Sequence, residues 1–281
     1  MERIKQAIEK VKNQRSSGAA PLAQPHQDHQ GTTIPPRSAR QDHDELEDVS
    51  YRHTRVVKLR AEHLEQNRIV AFDKNDPKSM IFDVLRTHVL QKMEENGWRT
   101  LAITSPTPEA GKTVVAINLA MSIAQQTNKT AMLVDFDLRR PKIGAYLGIP
   151  KEKSLNDLLD GKAELPDVLV NPDMPRLVVL PTNTPVRNSS ETLSSKKIAD
   201  LIKELRERYE SRIVIFDLPP MLVTDDAIAL LPQIDCVLMV VANGMSTRRE
   251  LDDSLRHLPA AKLIGTILNK AEIEPVGYYY Y

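Results

Sequence analysis

One cysteine in 281 residues, Cys236, leaves no partner for an internal disulfide, which excludes a disulfide-stapled fold and suits a reducing compartment. Long apolar runs are missing as well. The longest, Cys236 to Ala242, falls far short of the roughly 20 residues that a membrane span needs. The opening MERIKQAIEKVK has no apolar core of its own, so no secretory signal is expected and the reading is a cytoplasmic protein. Charge of one sign is absent too: 38 Lys and Arg face 38 Asp and Glu, so no nucleic-acid-coating surface and no nucleic-acid partner are expected. The remainder, 41% hydrophobic and 27% charged, is close to a soluble globular average and can fill a sizeable core. Tyrosine is scarce and unevenly spent: four of the seven stand at Tyr278, Tyr279, Tyr280 and Tyr281.

The chain divides by pattern. In residues 1–15, Ile4, Ala7, Ile8 and Val11 fall at helical spacing among basic groups, which reads as a short amphipathic helix, either docking on a partner or an anionic surface or simply solvated. Residues 16–66 show no sustained apolar period and read as a disordered linker, since they cannot bury enough surface to offset chain entropy. His26, His29, His43 and His53 lie there without cysteines or an ordered scaffold, so no metal site is expected from them. Ser79–Met93 then reads as a helix with Ile81, Val84, Leu85, Val89 and Leu90 on its inner face. Beyond it, apolar runs at 101–104, 131–134, 177–180, 213–216, 237–241 and 263–268 alternate with helical stretches at 112–126, 195–210, 225–231 and 247–257. Runs without period-2 alternation, separated by helices, predict an α/β fold: a mostly parallel central sheet with helices on both faces.

Three of these strands end in residues suited to phosphate and metal. The first leads into Ser105-Pro-Thr-Pro-Glu-Ala-Gly-Lys112-Thr113 and an apolar helix, the strand–loop–helix context of a P-loop. Loop amides and the helix N-terminus would cradle phosphate, Lys112 would neutralise it, and the Thr113 hydroxyl would ligate magnesium. Pro106 stands where the usual first glycine would be. The second strand runs into Leu133-Val-Asp135-Phe-Asp137-Leu-Arg139-Arg140-Pro141, and its period places Asp135 and Asp137 on one face if the strand continues through both. The fourth ends in Ile213-Val-Ile-Phe-Asp217-Leu-Pro219-Pro220, an apolar strand closing on a carboxylate, as in a Walker B element. Together they imply nucleotide binding with magnesium. Cys236, inside an apolar run, reads as a small core residue.

This motif set resembles the bacterial tyrosine autokinases (BY-kinases) of capsule and exopolysaccharide biosynthesis, a deviant P-loop branch related to the partitioning ATPases. The resemblance covers about 67–281 and rests on Pro108-x-x-Gly-Lys-Thr113, Leu133-Val-Asp-x-Asp-Leu-Arg-Arg-Pro141, Asp217-x-Pro-Pro220 and a tyrosine-rich tail after Leu268-Asn-Lys270. It implies a kinase domain over 67–274 followed by a tyrosine-rich tail over 275–281. It further implies that ATP is held by Pro108, Glu109, Ala110, Gly111, Lys112, Thr113 and Val114, with Asn269 at the adenine. Mg2+ would lie at Thr113, Asp137 and Asp217. Lys112, Asp135, Asp137 and Asp217 would form the catalytic set, with Asp135 as the base for the tyrosine proton. Tyr278 to Tyr281 would be the acceptors, presented to a neighbouring subunit. A membrane polysaccharide chain-length regulator would be the activating partner, recruiting the protein to the inner face of the membrane. Departures are Glu109, where the family commonly has glycine, and the helical assembly motif Glu-x-x-Arg-x-x-Arg. That motif falls on Met80, Asp83 and Arg86 and matches only at Arg86, so the implied homo-oligomer is weakened. Arg187-Asn-Ser-Ser-Glu191 follows the family's Asn-Pro-x-Glu run only in part. A kinase-inactive nucleotide-binding scaffold and a partitioning-type ATPase remain open as alternatives.

Overall fold

The computed structural model describes residues 54–126, 128–259 and 262–271. The expected helix at 1–15, the four linker histidines and Tyr278 to Tyr281 lie outside the described residues. In chain order the elements are β1 (Arg55–Val56), α1 (Ala61–Gln66), α2 (Ser79–Glu95), β2 (Thr100–Thr104), α3 (Lys112–Gln126) and β3 (Thr130–Asp135). They continue with α4 (Ile143–Leu147), α5 (Leu155–Leu159), α6 (Leu165–Val168), β4 (Val170–Asn171), β5 (Leu177–Leu180), α7 (Ser189–Leu193), α8 (Lys196–Glu207) and β6 (Arg212–Asp217). Last come α9 (Asp226–Leu230), β7 (Cys236–Ala242), α10 (Arg248–Arg256) and β8 (Leu263–Asn269).

All six expected strands form. They sit in one sheet of order β1-β4-β5-β3-β6-β2-β7-β8, parallel throughout except for the antiparallel β4–β5 pair. Continuous apolar strands are buried on both faces, and their alternate residues feed two separate cores. Ala131, Leu133, Ile213 and Ile215 join the core under α2 and α3. Met132, Val134, Val214 and Phe216 join the one under α8 and α9. Phe136 and Phe216 stack there with centroids 5.1 Å apart.

Two expectations change. Residues 54–66, read as linker, belong to the folded unit: β1 pairs with β4 in the register Arg55↔Val170, and Leu64 of α1 is 2% exposed. A two-residue strand whose partner lies more than a hundred positions later leaves no local period to detect. Helix α2 forms where expected, but Ile81 and Val84 are 55% and 54% exposed, while Val89 and Met93 are buried. The polar cluster of Asp83, Arg86 and Ser122 between α2 and α3 rotates the inner face away from them: Arg86 Nη1 donates to Asp83 Oδ1 at 2.7 Å and to Ser122 Oγ at 2.9 Å, and Ser122 Oγ donates to Asp83 Oδ1 at 2.8 Å.

Candidate functional site

Strands β3, β6 and β2 are neighbours, so the segments that follow them meet at one end of the sheet. Asp135 and Asp217 are cross-strand partners, and Ile103, two residues before the loop, is paired with Asp217. Ligands bind at this carboxyl end in open α/β sheets.

The loop after β2 is braced from two sides. Thr104 Oγ1 donates to Pro219 O at 2.7 Å, and Met221 N to Ser105 O at 2.8 Å, which ties the loop to the chain after β6. On the other side Asn269 Nδ2 donates to Ala110 O at 2.8 Å. Gly111, at φ +89, lies so close to Asn269 that a Cβ there would collide with the amide nitrogen. Glu109 is exposed and left-handed at φ +63, a conformation an L side chain adopts at a cost. Pro108 is also exposed, Ala110 is buried, and Val114 is partly buried against the core and accepts from Asn118 Nδ2 through its carbonyl.

Lys112 and Thr113 open α3 and turn toward the carboxylates. Lys112 Nζ donates to Asp137 Oδ2 at 2.8 Å and to Asp217 Oδ1 at 3.3 Å, while Thr113 Oγ1 donates to Asp217 Oδ2 at 2.6 Å. Strand β3 stops at Asp135, so Asp137 reaches Lys112 from the following turn and not by strand alternation. That turn is closed by Arg140 N donating to Asp137 Oδ1 at 3.0 Å. Asp135 is fully buried. Its Oδ2 accepts from Lys142 N and Ile143 N, both at 3.0 Å, and its Oδ1 has no hydrogen-bond partner. Sequence reasoning missed Asp226: buried at the start of α9, it receives Arg139 Nε at 3.0 Å and Nη2 at 3.3 Å. No spacing rule links an arginine after β3 to a carboxylate after β6.

Electrostatics separate the acids. Burial raises the pKa of Asp135 well above the carboxylate range, the Asp217 charge adds to it, and the Ile143 N–H only partly offsets them. Burial raises Asp217 as well, but Lys112 and Thr113 pull it back, so Asp135 is the more basic carboxylate of this pair. Burial alone would lower the pKa of Lys112, yet Asp217 and Asp137 outweigh it and keep the ammonium charged above its ordinary value.

The cleft over this cluster has a volume of about 1610 Å³, bordered by Lys112, Thr113, Asp137 and Asn269. Its donors are hard oxygens, the Thr113 hydroxyl and the Asp137 and Asp217 carboxylates, which suit magnesium. Among the described residues no group of three or more His, Cys, Asp or Glu could hold a metal by itself. Magnesium takes one or two protein carboxylates and completes its shell from phosphate and water.

The family of AAA domains (AAA_31) matches residues 99–251. The putative tyrosine-protein kinase CapB of Staphylococcus aureus is 30% identical over 211 residues, covering 73% of this chain and 91% of CapB. The tyrosine-protein kinase ptk of Acinetobacter johnsonii is 33% identical over 181 residues; the match takes 63% of this chain and only 24% of that longer protein. The kinase domain of the Escherichia coli tyrosine kinase ETK superposes with a TM-score of 0.67 at 27% identity, over 81% of this chain and 93% of that domain. With the phosphate loop, Asp135, Asp137 and Asp217 gathered at the end of one mostly parallel sheet, and with relatives of this kind over about three quarters of it, the chain belongs to the bacterial tyrosine-kinase (BY-kinase) family of P-loop proteins.

Proposed function

We propose that the protein is an ATP- and Mg2+-dependent tyrosine autokinase that phosphorylates its cluster Tyr278 to Tyr281 and acts in exopolysaccharide or capsule polymerisation and export. One observation carries this reading: a buried carboxylate with an unpartnered oxygen, Asp135 Oδ1, lies beside a P-loop lysine already held by two further carboxylates.

The loop amides of 108–113 and the N-terminus of α3 would hold the phosphates, as the P-loop arrangement does elsewhere. Lys112 would exchange its carboxylate partners for phosphate oxygens. Thr113, Asp137 and Asp217 would hold magnesium, which supplies neutralisation of the charge that develops on the phosphoryl group. In transfer, the tyrosine oxygen bonds to the γ-phosphorus, the bond from that phosphorus to the β,γ-bridging oxygen breaks, and the phenol proton passes to Asp135 Oδ1. A free phenol has a pKa of about 10, so a carboxylate with a raised pKa is better matched as its base than an ordinary one. Asn269 keeps the loop in shape through Ala110 and stands at the proposed adenine side. The partner of this reading is a membrane polysaccharide chain-length regulator that recruits the protein to the membrane and activates it. Among the described residues no helix is long and apolar enough to cross a membrane. Self-association in this reading is weakened because Asp83 and Arg86 are occupied within the chain.

Phosphotyrosine mass spectrometry after incubation with ATP and magnesium tests the reading. Phosphate on Tyr278 to Tyr281 is expected in the wild type and absent in Lys112→Met. Asp135→Asn is expected to bind ATP normally and to transfer about 10²–10⁴-fold more slowly, the span assigned to a positioned base. ATP bound with no phosphotyrosine, even with an activator added, would replace the kinase reading with the scaffold.

A further inference from the structure

Among the described residues the sheet ends on an open edge. At one side lies the two-residue β1; at the other lies β8, seven residues of sequence LIGTILN with no charged side chain. Among the described residues no strand pairs with its outer edge. Proteins normally blunt such an edge with lysine, proline or a cover, because unpaired N–H and C=O groups recruit another strand. The irregularity opposite Val237 and Leu238 affects only the start of β8, and Leu268 near its end is 61% exposed.

Beside this edge is a hollow of about 450 Å³ between α2 and β8. Leu85 and Val89 roof it, Leu238, Ile264 and Ile267 floor it, and Lys92 stands at its rim with Nζ donating to Ile264 O at 2.9 Å. Residue 265, on its wall, is glycine. A Cβ there would meet nothing nearer than Leu238 Cδ1 at 3.9 Å.

The residues beyond β8 suit both features. Lys270, directly after the strand, is left-handed at φ +57, the conformation that reverses a chain at a hairpin. Glu272–Tyr281 come next: two glutamates for Lys92 and Lys270, a proline tolerable on an edge strand, then the four tyrosines. Gly265 lies five residues before Lys270, or about 17 Å back along the strand, and the seven steps from Ala271 to Tyr278 span up to about 23 Å, enough for a loop and an antiparallel return.

We propose that the tyrosine segment folds back within the same chain along the free edge of β8 and seats a phenol ring, that of Tyr278, in the hollow beside Gly265. The backbone then completes the edge as a β-augmentation, and the ring covers the glycine as a cross-strand aromatic does. The docked phenol is withheld from any kinase site. A phosphate adds roughly −1.5 to −2 charge, which is costly to bury against Leu85, Val89, Leu238 and Ile264, so phosphorylation is expected to loosen the docked segment. That last consequence rests on the kinase reading; the docking does not.

Two measurements on the full chain test it. The first is the pair Gly265→Cys with Tyr278→Cys under mild oxidation, which the buried Cys236 does not disturb. A disulfide within the monomer is expected. A disulfide-linked dimer would assign the edge to a second copy's segment and overturn the proposal, and so would no disulfide at all. The second is hydrogen exchange at the β8 amides that do not bond to β7. Ending the chain at Ala271, or filling the hollow with Gly265→Leu, is expected to speed their exchange about tenfold or more. Equal exchange in all three proteins would also overturn the docking. Neither readout needs phosphoryl transfer, so an inactive kinase with a protected β8 edge would fail the kinase reading alone.

Discussion

Glu109 holds a left-handed backbone at the mouth of the phosphate loop, where nothing in its own chemistry favours that shape. An L residue in this region costs about 1–2 kcal/mol, and glycine gives back about 0.4–1 kcal/mol through its freer unfolded chain. Glu109→Gly is therefore expected to stabilise the protein by about 0.5–1 kcal/mol in urea unfolding. It should also tighten ATP binding, more at low salt than at high, because a carboxylate leaves the phosphates' neighbourhood. Cys236 makes the pH prediction. Burial, and then the Asp235 charge, pushes its thiol up to about 12. An unfolded thiol ionises near 8.5, so the folded state binds the extra proton between the two values. The contribution is complete below about pH 8.5 and is lost at about 1.4 kcal/mol per unit as pH rises toward the folded value. Cys236→Ala should thus flatten the fall in stability between pH 8.5 and 10, and the native thiol should resist a thiol reagent at pH 8 until the chain unfolds. At this scale the sequence was legible where chemistry is local. Lys112, Thr113 and Asp217 stand where the motif puts them, whereas the orphaned Oδ1 of Asp135 and the Arg139–Asp226 pair depend on neighbours distant in sequence.

Among the elements, the strands were read most faithfully. A run such as Ile213–Phe216, apolar at every position, can only be buried on both faces, and the structure divides it between two cores. Helix α2 shows the limit of periodicity. Its apolar residues cover more than one face, and the tertiary contact at Ser122 decides which of them turns inward. Arg86, with its side chain 12% exposed, makes two side-chain hydrogen bonds there, to Asp83 and Ser122. Arg86→Ala is expected to cost about 1.5–3 kcal/mol, the range for hydrogen bonds to a charged group, measured by chemical denaturation. It should leave ATP binding intact, because the loop is braced from Pro219 and Asn269 instead.

For the molecule as a whole, ligand and fold are linked through Lys112. Its ammonium neutralises two buried carboxylates, so Lys112→Met is expected to lower stability by about 3–5 kcal/mol, the cost of stranding buried charge. ATP with magnesium at 100 times its Kd should raise the stability of the wild type by about 2.7 kcal/mol, and this shift should vanish in Lys112→Met; calorimetry reads both. What the sequence determined by itself is what short range can encode: which runs are buried strands, where α3 begins, and that a phosphate loop and two acidic strand ends occur in that order. Tertiary structure alone decided the rest. Strand order brings β3, β6 and β2 side by side, burial makes Asp135 the more basic of the paired carboxylates, and residues 54–66 are drawn onto the sheet by a partner far along the chain. Each of these is a contact between residues far apart in sequence, and neither a local period nor a motif spacing carries that information.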